Sequence, residues 1–63
     1  MGIYFQKGSH QGSQASVYAD FASDVNDLEK FGQDNHLKGG SDCYVIETGQ
    51  VFMMDSEMNW TEQ

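Results

Sequence analysis

Ser41-Asp42-Cys43-Tyr44-Val45-Ile46-Glu47-Thr48-Gly49-Gln50-Val51-Phe52-Met53-Met54-Asp55 is the stretch on which the fold turns. Two runs of strand formers, Cys43 to Ile46 and Val51 to Met54, flank the tight-turn signal Thr48-Gly49, so the segment reads as a β-hairpin over about 42–55. With Thr48 and Gly49 as the loop, Ile46 pairs with Val51, Val45 with Phe52 and Tyr44 with Met53; a three-residue loop with a glycine bulge moves that register by one. Both runs are apolar on nearly every residue rather than alternating. A strand of that kind expects cover on both faces, and one short helix covers only one. The second face calls for a neighbour.

Working outward, the polar turn Asp55 to Asn59 leads to Trp60, which begins a short terminal strand near 60 or folds back onto the hairpin. Upstream lies the one helical signal: Phe21, Val25 and Leu28 at i, i+4 and i+7, with Phe31 beside Leu28. Start signals at Ser23 and Asp24, Lys30 in the last turn and a stop at Gly32 predict a helix over about 24–31. Val17, Ala19 and Phe21 alternate with Tyr18 and Asp20, which allows a short strand leading into it. Residues 8–16 are small and polar throughout, a composition that cannot bury enough apolar area to order alone. Residues 1–16 are therefore expected to form a flexible arm that orders on a partner, and residues 17–63 a single small domain. The Ile3-Tyr4-Phe5 cluster at the end of that arm reads either as an anchor for a neighbour or as a short strand returning to the core.

Composition sharpens the need for a neighbour. The chain has 63 residues, of which only 12, or 19%, are Leu, Ile, Val or Phe. A domain this small has a marginal core and usually adds disulfides, a metal or oligomerisation. Cys43 is the single cysteine, which excludes an intrachain disulfide, and one thiolate with two imidazoles cannot by themselves complete a four-ligand zinc site. Association with other chains survives this elimination. The net charge of −7 repels nucleic acid and anionic membranes, and the lysines at 7, 30 and 38 form no cluster to override it. No apolar run approaches the ~18 residues of a membrane span, and no leader pattern is present, so a soluble, unprocessed chain is expected, without direct nucleic-acid or membrane contact.

Residues 40–63 resemble a recurring segment of short bacteriophage virion proteins and of phage head-fibre and tail-fibre modules. The elements are Gly40-Ser41, the strand Cys43 to Ile46, Thr48-Gly49, the strand Val51 to Asp55, and Trp60. Val17-Tyr18-Ala19 followed by Asp27-Leu28 is similar to the entry of many of these proteins. The chain departs from the pattern at Glu47, where Asp commonly stands, and at Met58 in the turn before Trp60. The resemblance implies a structural component of a virion, assembled in the host cytoplasm, and supplies no catalytic residues.

The remaining candidates read as ordinary structure. His10 and His36 stand 26 positions apart, and a metal site would need both with Asp34 or Asp42. Cys43, at the start of a buried-looking strand, is a small apolar filler. Asp20, Asp24, Asp27, Glu29 and Asp34 are a solvated helix face. The aromatic and methionine residues are the sharpest cluster, because such residues concentrate at interface cores.

The expected fold is a small α+β unit, mainly β, with a C-terminal β-hairpin or three-strand meander, one short helix and an extended N-terminal arm. The expected function is a non-enzymatic virion protein of capsid-decoration, head-fibre or adaptor type. It would act as a homo-oligomer docked on a larger capsid or tail protein, without cofactor, metal or catalytic residues. Its interface would comprise Ile3, Tyr4, Phe5, Tyr44, Phe52, Met53, Met54 and Trp60. A tail or baseplate adaptor is the nearest alternative, and an acidic DNA mimic that inhibits a host nucleic-acid-binding protein is the alternative of another class.

Overall fold

The computed structural model describes residues 2–63. Its strands are β1 (Ile3–Phe5), β2 (Ser16–Ala19), β3 (Asp42–Val45), β4 (Val51–Met54) and β5 (Trp60–Glu62). Between β2 and β3 a 3-10 segment, Ala22–Asp27, runs into the helix α1 (Leu28–Asp34). The five strands form one sheet in sequence order, antiparallel everywhere except at the parallel β2–β3 seam. The fold is small α+β and mainly β, and its C-terminal half is a three-strand meander.

Strand alternation sends Val17, Ala19, Cys43 and Val45 to one face, where they are buried against Leu28 of α1. Ala15, Leu37 and Met54 form a second buried cluster, and Phe5, Phe31 and Trp60 pack against both. Ser41 is the one buried polar residue among those described. Its hydroxyl accepts from the Ala15 N–H at 3.0 Å and donates to the Lys38 carbonyl at 2.7 Å. Its carbonyl accepts from the Met54 N–H at 2.8 Å, so one serine ties the residue before β2, the loop after α1 and the end of β4 together.

The helical region is longer than the apolar spacing predicts. Phe21 is extended and half exposed, and the Asp24 carboxylate reaches back to its N–H at 3.0 Å, so the helical turns start one residue later. The stop is also elsewhere. Gly32 lies inside α1, where an added Cβ would come within 2.9 Å of Met54 Cε and 3.4 Å of Trp60 Nε1. Its role is to let those side chains approach. His36 takes the left-handed position at φ 54°, and Leu37 N–H bonds back to the Gly32 carbonyl at 3.0 Å, closing the helix with a Schellman-type turn.

The hairpin register differs from the two-residue-loop expectation. Tyr44 pairs with Val51, Cys43 with Phe52 and Asp42 with Met53, a displacement of two residues. Ile46 leaves the hairpin because its N–H is taken by the Ala19 carbonyl at 2.8 Å, which extends the parallel seam. The loop closes instead through the Gly49 N–H to the Val45 carbonyl, with Gly49 at φ +77°. A shift of two preserves which face each side chain uses.

The N-terminus joins the sheet. Ile3–Phe5 pair antiparallel with β2, so of the two readings of this cluster the structure takes the returning strand. The polar segment that follows is hydrogen-bonded rather than extended: Ser9 Oγ accepts from Ser16 N–H, Gly12 N–H donates to the Asn35 carbonyl, and Gln14 Nε2 donates to the Gly39 carbonyl.

Candidate functional site

The face of the sheet opposite α1 has no second layer. Register places Tyr4, Tyr18, Tyr44 and Val51 in one row across β1 to β4, with Ser16, Asp42, Met53 and Thr61 in the next row. The tyrosine rings touch in sequence, at 5.6 Å between Tyr4 and Tyr18 and 6.3 Å, edge to face, between Tyr18 and Tyr44. Tyr4 is 44%, Tyr44 41%, Met53 40% and Val51 36% exposed. Five large side chains therefore form a continuous apolar and aromatic surface.

Its electrostatics are spare. None of the three lysines lies on a strand, and Lys30 pairs with Asp34 on α1 at 2.7 Å. The strand carboxylate on this face is Asp42, which accepts from the Ser16 hydroxyl at 2.6 Å. The Tyr4 phenol is held above its ordinary pKa, first by partial desolvation and then by its hydrogen bond to the Asp20 carboxylate.

Of the eight residues predicted to form an interface, the structure brings Tyr4, Tyr44 and Met53 together on this open face. Ile3, Phe5, Phe52, Met54 and Trp60 lie on the helix side: Met54 is buried and the others are half-buried against the core. The Phe5 ring packs on Phe31 at 5.4 Å. Trp60 Nε1 is buried without a hydrogen-bond partner, beside Gly32. Tyr18 and Val51 complete the face and escaped the sequence reading. The alternation of Tyr18 with Val17 and Ala19 already put it opposite the core; what was missing was the parallel seam that sets it beside Tyr44.

Other candidate groups do not converge. Cys43 is fully buried, and burial pushes its thiol up to about 11. His36 terminates α1, and His10 lies in an exposed turn beside the Gln11 carbonyl. Among the described residues no three His, Cys, Asp or Glu side chains stand close enough to hold a metal ion. A cleft of about 250 Å³ between α1 and the β4–β5 turn is lined by Val25, Leu28, Phe52, Met58, Asn59 and Trp60, with Glu29 its one carboxylate. Met58 beside it sits at φ 70°, a left-handed conformation that costs a side-chain-bearing residue about 1 kcal/mol.

The tyrosine row with Val51 and Met53 is an uncovered aromatic and aliphatic surface on one face of a five-stranded mixed sheet. Comparison with protein-family models, curated proteins and solved structures finds no match to this chain.

Proposed function

We propose that this protein is a non-enzymatic structural component of a bacteriophage particle that works by association through the open face of its sheet. The observation that carries the reading is that face: an uncovered row of three tyrosines with Val51 and Met53, in a molecule whose own core is only one helix deep. Interface cores favour Tyr and Met and are depleted of charge; this surface carries three tyrosines, Val51 and Met53 with one strand carboxylate, Asp42, hydrogen-bonded by Ser16. The virion setting draws its support from the likeness of residues 40–63 to virion proteins. Asp27, Glu29 and Asp34 of the helical segment lie outside the face, where a basic patch on a larger head or tail protein would meet them.

A tyrosine platform on an open sheet also suits base stacking, but such platforms work beside cationic grooves, and no lysine or arginine stands on these strands. The association reading is tested in particles. Mass spectrometry of purified virions should find the protein at fixed stoichiometry, and Met53→Glu should lower its copy number at least tenfold while the purified variant keeps its circular dichroism. Undiminished incorporation of folded Met53→Glu would sink it.

A further inference from the structure

On the helix side of the sheet, away from the open face, the turn between β4 and β5 and the helical segment enclose the cleft of about 250 Å³. Val25, Leu28 and Glu29 stand at i, i+3 and i+4 and so share the wall that the helical segment gives it. Phe52 of β4 and Trp60 of β5 line it from the sheet. Val25, Phe52 and Trp60 also pack on the buried cluster around Leu28, so the apolar walls are an outward extension of the core and are held by it. The polar lining is different in kind. Glu29 and Asn59 are exposed, and among the described residues neither the carboxylate nor the carboxamide has a hydrogen bond or ion pair. The neighbouring Lys30 is already taken by Asp34 at 2.7 Å.

The turn that closes the cleft is fixed in place. Asp55 Oδ1 accepts from the Glu57 and Asn59 N–H groups at 2.9 and 3.0 Å, the Asp55 N–H donates to the Asn59 carbonyl at 2.9 Å, and the Met58 N–H donates to the Asp55 carbonyl at 3.0 Å. These bonds hold Met58 at φ 70°, where glycine or asparagine would be less strained, and the side chain kept there lines the cleft. A wall maintained in this way needs no ordering when a guest enters.

Charge and size select the occupant. Glu29 and the net charge of −7 repel an anion, and a purely apolar guest would strip water from the carboxylate without replacing it. A cation with an apolar or planar body satisfies both parts of the lining, its flank on the aromatic rings and its charge on Glu29. Of the two cationic side chains, the guanidinium is planar and weakly hydrated, and its five N–H donors can meet a carboxylate and a carboxamide oxygen together; the ammonium is compact and strongly hydrated. The volume lies below the ~300–1,000 Å³ of sites for drug-sized ligands, so it admits one long side chain rather than a folded segment. We propose that this cleft receives a single arginine side chain presented by a partner protein, with the guanidinium on the Glu29 carboxylate and the stem along Phe52 and Trp60. The site shares no residue with the tyrosine face, so it stands or falls apart from the association reading.

The test titrates the full chain with acetyl-Gly-Arg-Gly-amide and its lysine and citrulline counterparts, each to about 20 mM in about 0.1 M NaCl. Trp60 is the only tryptophan, so its indole N–H signal in proton–nitrogen correlation spectra reports on the cleft, as does the Asn59 amide. The arginine peptide should shift both signals saturably, with the lysine peptide at least about threefold weaker and the neutral citrulline peptide at least about tenfold weaker. Glu29→Gln should weaken arginine binding at least about fivefold, whereas Asp42→Asn, the same charge change on the opposite face of the sheet, should leave it unchanged. Absence of a saturable shift overturns the proposal, as does equal binding of the lysine or citrulline peptide. Equal losses in the two variants also overturn it, by showing attraction to overall charge alone. Agmatine, which carries the same guanidinium without a peptide, distinguishes the source: binding tighter than the arginine peptide's would assign the cleft to a free small molecule and reject the protein side chain.

Discussion

Cys43 shows how one side chain reports on its strand. Its thiol is neutral in the folded protein up to about pH 11, against an ordinary value near 9, because burial beside Val17 and Leu28 disfavours the thiolate. The unfolded chain loses that proton first, so the thiol leaves stability unchanged below about pH 8. It then removes on the order of 2 kcal/mol as pH rises from about 9 to about 11. Urea unfolding at a series of pH values should show this loss in the wild type and a smaller one in Cys43→Ala. The native thiol should also resist alkylation at about pH 8 until denaturant is added. The filler reading of Cys43 needed only its place in an apolar run. The role of His36 was not legible, since the left-handed stop could be assigned to Gly32 until Met54 and Trp60 were seen packed against that glycine.

At the level of elements, β1 joins two residues with opposite roles. Phe5 points inward onto Phe31, and Tyr4 points outward beside Tyr18. Phe5→Ala should therefore destabilise the fold by about 2 kcal/mol, below the usual cost for a fully buried phenylalanine because the ring is half-buried. Tyr4→Ala should change folding by about 0.5 kcal/mol or less while weakening association. Equal losses in a urea midpoint comparison would show that the strand is not seated as described. The hairpin and the meander could be read from their apolar runs, and so could their faces. The register was missed because Ile46 answers to Ala19, a residue 27 positions away, through a parallel pairing that no local pattern announces. The motif residues of 40–63 singled out in the sequence now have structural explanations. Gly40 adopts φ +97°, Ser41 supplies the buried hydroxyl, the Asp55 carboxylate holds the Glu57 and Asn59 N–H groups, and Trp60 packs on the core. These residues build and brace the meander.

For the molecule as a whole, 63 residues imply a stability of only about 3–9 kcal/mol, so any gain from pairing is a visible fraction of the total. If the open face pairs with another copy, as the proposed association allows, mass action should raise the wild-type Tm by several degrees between about 10 µM and about 1 mM protein and leave that of Met53→Glu constant. A flat wild-type Tm would mean that the core suffices without a neighbour. The shortage of strong hydrophobes was legible in composition, and the structure locates it: one face of the sheet is covered and the other is not. Which face stayed open depended on where α1 settled across the β2–β3 seam, a long-range choice. The sheet's margins carry a last consequence. Both outermost strands, β1 and β5, are three residues long, too brief to template the addition of further chains edge to edge. Polymer growth along the hydrogen-bonding direction is thereby disfavoured. Such a molecule is expected to stay as discrete units at high concentration rather than to grow into fibres.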